Sequence, residues 1–173
     1  MPQGPFRALR HRDFRSFIVG QSFSMIGTWM QSVAVGWLVF DLTRSAFDVG
    51  LVTTLATLPI LLFTLYGGVI ADRVDRRRFI IALQSIMALT AIMLAVLALT
   101  GHISVHLIWA IALIQGTATA FEVPARQAFL MELVPQEEMI HAAALNSTVY
   151  NLSRVVGPSI AGIVLAATGP GVC

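Results

Sequence analysis

The feature of the sequence that most limits its fold is a series of long segments without a charged side chain. Residues 16–40, 49–71 and 79–121 contain no Asp, Glu, Lys or Arg. A helix of about 20 apolar residues is long enough to cross the roughly 30 Å hydrocarbon core of a bilayer. Only 12% of the residues are charged, against roughly 25% in soluble domains, so the chain has too few polar groups to cover a globule in water. These segments predict an all-α integral membrane protein.

The uncharged segments divide into five predicted membrane spans. The segment at residues 79–121 is too long for one crossing and contains Gly-His-Ile-Ser at 101–104, which indicates a turn. A fifth helix is predicted to begin near Pro135, because Pro followed by Glu137 and Glu138 is typical of a first helical turn. The predicted spans are about residues 16–40, 49–70, 79–101, 105–122 and 140–168.

The arginines indicate how these spans are oriented, because cytoplasmic loops retain positive charge during insertion. All 11 basic residues are Arg. Only Arg44 lies in a loop on the side opposite to the others, and Arg126 follows span four. The remaining loop arginines precede span one or connect spans two and three: Arg7, Arg10, Arg12, Arg15, Arg73, Arg76, Arg77 and Arg78. We therefore expect a multi-pass protein with a cytoplasmic N-terminus.

Residues 1–15 are predicted to form a cytoplasmic amphipathic segment. Arginines alternate with apolar residues there, so Phe6 and Leu9 are expected to face lipid while the arginines face headgroups. A plain topogenic tail is the alternative. Residues 16–173 are predicted to form the membrane domain.

The loop between spans two and three carries a recognisable pattern. It resembles the signature of the major facilitator superfamily, Gly-x-x-x-Asp-Arg-x-Gly-x-Arg-Arg, and differs from it at Asp75, where the signature has Gly. We expect the matching glycine to allow close helix approach and the Asp to meet cationic partners or a helix N-terminus. The alternative is that any cytoplasmic loop collects arginines. The matching residues are Gly68, Asp72, Arg73, Arg77 and Arg78.

Other stretches resemble the enterobactin-exporter-like or transmembrane secretion effector branch of that superfamily. They include Phe14-Arg15, Gly27-Thr28-Trp29, Trp37 to Thr43, Pro124 to Ala128 and Arg154 to Pro158. In span five, Gly157, Pro158 and Gly162 are similar to the antiporter motif Gly-Pro-x-x-Gly-Gly, with Ala161 replacing one Gly. A proline kink among small residues is the alternative reading of that motif.

The resemblance implies a secondary transporter of the bacterial plasma (inner) membrane that exports a small organic molecule, such as a siderophore or drug, by alternating access. In the superfamily the signature loop latches the cytoplasmic side. Two six-helix halves make up such a transporter, so the chain is expected to be five helices of an incomplete N-terminal half. Its partners would be the bilayer, a small-molecule substrate and the missing C-terminal half. A non-transporting membrane scaffold or regulatory protein is the alternative.

Helical spacing places polar residues on one face of spans one, four and five. In the superfamily these helices line the central cavity with helix two, while helix three lies outside. Span three has scattered polarity and is predicted to face lipid. Packing between helices through small and hydroxyl residues is the alternative for each face. The predicted cavity-lining residues are Ser24, Thr28, Gln31, Gln115, Thr119, Asn146 and Tyr150.

Charges inside the spans are costly unless they are paired or hydrated. We therefore expect Glu122, Arg126 and Arg154 to form a polar cluster on the cytoplasmic side, with Glu122 and Arg154 as partners. Snorkelling of Arg154 to the interface is the alternative. The drug:proton antiporter pattern Arg-x-x-Gln-Gly is incomplete, because Ala112 stands where the arginine would be.

The sequence contains no pattern that indicates an enzyme. His102 and His106 have a spacing that could hold a metal on a helix, but no third ligand is nearby. No nucleotide-binding loop, no nucleophile with its base and no aromatic and basic nucleic-acid surface is present. We therefore expect no metal, no cofactor and no nucleic-acid partner.

Overall fold

Five long α-helices make up the structure, a computed structural model that describes residues 7–168. Each helix is long and apolar enough to cross a membrane, as the uncharged segments predict. No strand occurs in this described part of the chain. Short 3₁₀ turns at Arg7–Arg10 and Gln136–Glu138 precede the first and last helices. The helices are α1 (Arg12–Thr43), α2 (Ala46–Ala71), α3 (Arg76–Leu99), α4 (Val105–Glu132) and α5 (Met139–Thr168).

Side-chain caps begin three of the helices. Ser45 accepts a hydrogen bond from the backbone N–H of Asp48, and Ser104 accepts one from Leu107. Asp75 accepts one at 2.9 Å from the N–H of Arg78 and so begins α3. Such caps satisfy backbone donors that have no partner within the helix. The residue that departs from the superfamily signature therefore has a structural role in the same turn.

Helix α4 is longer than the predicted fourth span, which ended at Glu122. It continues to Glu132, so Arg126 lies inside the helix instead of following it. Glu122 and Arg126 are one turn apart and their charged atoms are 3.0 Å apart. Because each charge neutralises the other, a carboxylate at this position does not require the helix to end.

The helices pack in pairs, α2 along α4, α1 along α5 and α3 along α4. A Cβ on Gly67 would lie 2.6 Å from the carbonyl oxygen of Ala120, and one on Gly157 would lie 2.6 Å from Cβ of Trp29. Only a glycine fits such backbone approaches, which are common between membrane helices. The signature residue Gly68, expected to provide the close approach, has no atom within 4 Å of its Cβ position. At this end of α2, the close contact is made by Gly67, one residue earlier.

The N-terminal segment packs on protein at the cytoplasmic end. Ala8 and Phe14 are fully buried in a core with Leu130, Val134 and Ala142. His11 Nε2 also lies 3.1 Å from Glu138 Oε2, which ties the segment to the connection between α4 and α5. Leu9, which was expected to face lipid, is part-buried against this same core, and its contact with lipid stays a prediction. Phe6 lies outside the described residues.

Candidate functional site

A cavity of about 930 Å³ lies between α1, α3, α4 and α5. Its wall combines apolar side chains with amides, hydroxyls and one buried ion pair. The outer surface of the helices, in contrast, is apolar, with Leu61 80% and Leu65 83% exposed. Six residues predicted from helical spacing lie on the cavity wall, although their part in substrate binding stays a prediction. They are Ser24, Thr28, Gln31, Thr119, Asn146 and Tyr150.

Gln115, the seventh predicted residue, does not line the cavity. Its Nε2 donates a hydrogen bond to Oγ1 of Thr90 on α3 at 3.1 Å. The bond joins two packed helices in a part-buried setting. Gln115 therefore serves the alternative role, helix packing through a polar contact.

Helix α3 lines this cavity more extensively than α2 does. Helix α2 contributes only Ile60 to the cavity wall, because it is packed against α4 along its length. Helix α3 was expected to face lipid, yet one of its faces lines the cavity. Apart from Gln84, that face presents small and apolar side chains at helical spacing, which the scattered polarity of the sequence could not reveal. The residues are Gln84, Met87, Ala88, Ala91, Ile92, Leu94, Ala95 and Ala98.

A buried ion pair lies on the cavity wall. Nε of Arg126 is 3.0 Å from Oε1 of Glu122, and the two side chains are only 9% and 8% exposed. The Nε–H group is not aligned for a hydrogen bond to that oxygen, so the attraction is mainly one of charge. Nε2 of Gln84 donates to the same carboxylate oxygen at 3.4 Å. Two of the three residues predicted to form a polar cluster are thus together, and Gln84 joins them.

Arg154 is not the partner of Glu122, as the sequence had suggested. Its guanidinium carbon lies 5.6 Å from the ring centroid of Trp29, a cation–π distance. Tyr150, one turn earlier on α5, packs edge-to-face against the same Trp29 ring, with centroids 6.0 Å apart. The error has a simple cause: Arg126 is one turn from Glu122 on the same helix, whereas α5 turns Arg154 toward α1.

A charge network joins three helices at the signature loop. Nη2 of Arg76 donates to Oδ1 of Asp72 at 2.8 Å, and Nη1 of Arg76 donates to Oε1 of Glu132 at the end of α4. Nε of Arg76 also donates to the backbone carbonyl of Ala71 at 3.3 Å. The network therefore connects α2, α3 and α4 on the side predicted to be cytoplasmic.

The network contains two residues that sequence reasoning missed. The signature pointed to Arg73, Arg77 and Arg78, yet Arg76 makes the contacts. The spacing of Asp72 and Arg76, one helical turn, was a usable signal. Glu132 had no signal in the sequence, because its approach depends on how α4 packs. Among residues 7–168, Arg73 and Arg77 form no ion pair, and Arg78 lies 3.8 Å from Asp75.

The span-five motif lies within an uninterrupted α5, which contains Pro158. Gly157 makes the close contact with α1, and Ala161, which replaces a motif glycine, is fully buried. Gly162 has no neighbouring atom within 4 Å of its Cβ position. In this part of the chain the motif therefore provides close packing between α1 and α5 through Gly157.

No group of three or more His, Cys, Asp or Glu side chains that could hold a metal ion occurs among residues 7–168. The ring of His106 instead packs edge-to-face on Trp109, with centroids 5.1 Å apart.

Five apolar helices, a cavity of mixed polar and apolar lining, and a charge network at the signature loop agree with a helical membrane protein of the major facilitator type. The sequence profile of the transmembrane secretion effector family matches residues 3–173. The chain belongs to this family of major facilitator transporters, a family of membrane carriers and not of enzymes.

Curated relatives support this assignment. The staphyloferrin A transporter of Staphylococcus aureus is 32% identical over 82% of this chain and 36% of its own length. The enterobactin exporter EntS of Salmonella paratyphi A is 30% identical over 92% of this chain and 38% of its own length. The multidrug efflux pump Tap of Mycolicibacterium fortuitum is 31% identical over 83% of this chain and 36% of its own length. The chain thus spans less than two fifths of these relatives, and no solved structure matches it.

Proposed function

We propose that these helices form part of a secondary transporter that exports a small organic molecule, such as a siderophore or drug, from a bacterial cell. The relatives include proteins named as a staphyloferrin A transporter, an enterobactin exporter and a multidrug efflux pump. The observation that carries the proposal is the position of the Glu122–Arg126 pair on the wall of a cavity between apolar helices. Charged groups inside a membrane protein cost several kcal/mol unless they are paired or hydrated, so they are typical of transport paths.

Transport would proceed by alternating access, with the signature loop as the cytoplasmic latch. Arg76 connects the ends of α2, α3 and α4 and would make them move as one unit. Asp72, Arg73, Arg77 and Arg78 are exposed, so helices beyond this chain could contact them. An exposed carboxylate at the end of α2 is suited to meet the positive N-terminus of a facing helix.

The proposed orientation places the N-terminus and the signature loop in the cytoplasm of a bacterium, with the helices in its plasma (inner) membrane. The distribution of arginines supports this. Several side chains on the cavity wall, including Ser24, Thr28 and Tyr150, are exposed. We therefore propose that helices beyond these residues, equivalent to the C-terminal half of the relatives, close the transport path.

The test is a chimera in which this chain replaces the corresponding segment of the multidrug efflux pump Tap. We expect efflux of a drug that the unaltered pump exports, and we expect Asp72→Asn in the chimera to reduce it at least about tenfold because the latch is lost. The matched control is Asp41→Asn, near the C-terminal end of α1 and far from the signature loop. It breaks an exposed ion pair with Arg44 and should leave efflux unchanged. A chimera that inserts normally but exports nothing would favour a non-transporting scaffold.

A further inference from the structure

Arg154 differs from every other charged residue of the described chain in its position along a helix. It lies near the middle of α5, about 22 Å from Met139 and about 21 Å from Thr168 at 1.5 Å per residue. Trp29, which its guanidinium contacts, is likewise near the middle of α1. Both helix ends are therefore distant from this group.

The guanidinium of Arg154 has no negative partner among residues 7–168. Each ion pair in this part of the chain involves another cation, and no carboxylate oxygen lies within 4 Å of Arg154. Its contact is the face of Trp29 at 5.6 Å. A cation–π contact leaves the N–H donors at the edge of the guanidinium available. Arg154 is exposed, so those donors can be approached.

The surroundings of Arg154 combine aromatic surface with polar groups. Trp29 and Tyr150 line the cavity and pack edge-to-face. Ser147 and Asn151, on the same stretch of α5, also line it and are exposed. Arg154 is not itself a lining residue of the cavity, but it contacts Trp29, which is. A ligand at this edge of the cavity would thus meet a cation, two aromatic rings and a few hydrogen-bonding groups. This is the usual composition of a small-molecule site.

We propose that Arg154, Trp29 and Tyr150 form a binding site for an organic anion with a carboxylate and an aromatic or apolar body. The planar guanidinium of arginine matches a carboxylate with two parallel hydrogen bonds. The rings supply apolar contact to the rest of the molecule. The proposal rests on the proposed transport function, since it names the chemical class that the transporter would carry. The charge of Arg126 is already neutralised by Glu122, so Arg126 is not available to bind the carboxylate of a ligand.

The experiment measures binding of benzoate to the full chain in dodecylmaltoside micelles, which contain no phosphate that could compete. Trp29 fluorescence reports on the site, in a Trp37→Phe, Trp109→Phe background. We expect a saturable change with benzoate and at least about tenfold weaker binding of the isosteric neutral benzamide. Arg154→Gln should weaken benzoate binding to the level of benzamide, and Arg154→Lys should retain part of it because it keeps the charge.

The control variant is Arg44→Gln, which removes an exposed arginine at the C-terminal end of α1, away from Trp29. It should bind benzoate normally. Circular dichroism verifies that each variant is helical. Equal affinity for benzoate and benzamide would overturn the proposal, as would unchanged binding in Arg154→Gln. Because binding is measured without transport, an inactive chimera with normal benzoate binding would contradict only the transport function.

Discussion

At the scale of single residues, Glu122–Arg126 is the most buried ion pair of the described chain. Its two side chains are 8% and 9% exposed, whereas those of the Asp41–Arg44 pair are 55% and 73% exposed. Breaking a buried pair leaves a charge without compensation, which costs about 3 to 5 kcal/mol. An exposed pair contributes about 0 to 1 kcal/mol. The two pairs therefore provide a matched comparison.

We expect Glu122→Gln and Arg126→Gln each to lower the free energy of unfolding by about 3 kcal/mol. The double variant should lose clearly less than the sum of the two, because neither charge is then left unpaired. The measurement is unfolding in mixed micelles titrated with dodecyl sulfate. The same cycle at Asp41 and Arg44 should be additive within about 0.5 kcal/mol. Additivity at Glu122 and Arg126 would show that the pair does not hold α4 in its observed state.

Neighbouring glycines on α2 provide a second residue-scale prediction. Gly67→Ala places a Cβ 2.6 Å from the carbonyl oxygen of Ala120 and should destabilise the α2–α4 contact by about 1 to 3 kcal/mol. Gly68→Ala meets no atom within 4 Å and should stabilise the helix by about 0.5 to 1 kcal/mol, through helix propensity. Thermal unfolding in micelles distinguishes the two. A larger loss at Gly68 would contradict the packing described here.

Single residues were predicted unevenly from the sequence. Spacing along one helix correctly grouped Ser24, Thr28 and Gln31, because positions three and four apart share a face. Pairings between helices were not accessible in the same way. The partner of Glu122 was placed on α5 when it lies one turn away, and Arg154 was given a carboxylate partner although it contacts Trp29. Which faces meet depends on packing, which one sequence does not encode locally.

At the scale of elements, the helices themselves were largely predictable. The length of an uncharged segment is read directly from the sequence, and it decides whether a helix can cross a membrane. The caps at Ser45, Asp75 and Ser104 follow ordinary capping chemistry. Helix α4 continues past Glu122, where the fourth span was predicted to end, because the partner of that charge lies one turn further along. The bounds of the membrane span itself stay a prediction. The sequence did not reveal that a face of α3 lines a cavity, because an alanine-rich face looks alike whether it meets lipid or a cavity.

The signature loop gives the prediction that belongs to this scale. Arg76→Gln should slightly lower the free energy of unfolding, because two partly exposed ion pairs that join α3 to α2 and α4 are lost. The loss should be smaller at high salt, which screens such pairs. Arg77→Gln is the control, because Arg77 is exposed in the same turn. Faster amide exchange in the loop of Arg76→Gln, with Arg77→Gln unchanged, would support the network; equal exchange in both would argue against it.

At the scale of the whole molecule, five helices leave the cavity open where side chains such as Ser24 and Thr28 are exposed. Alternating access requires a second body against which the first can rock. We therefore expect vesicles that contain only this chain to show no efflux above empty vesicles, for any substrate exported by the Tap chimera. Measurable efflux from such vesicles would mean that these helices suffice for transport.

If the cavity beside Glu122 and Arg126 belongs to a transport path, water must reach it between the membrane helices. Labelling with a charged, membrane-impermeant thiol reagent tests this most directly, in vesicles and in a Cys173→Ser background. Thr28→Cys lies on the cavity wall, and Leu61→Cys lies on the apolar outer surface of α2 at a similar depth. Only a hydrated thiol ionises and reacts. We predict that Thr28→Cys reacts at least about tenfold faster than Leu61→Cys, whereas equal rates would contradict a hydrated transport path.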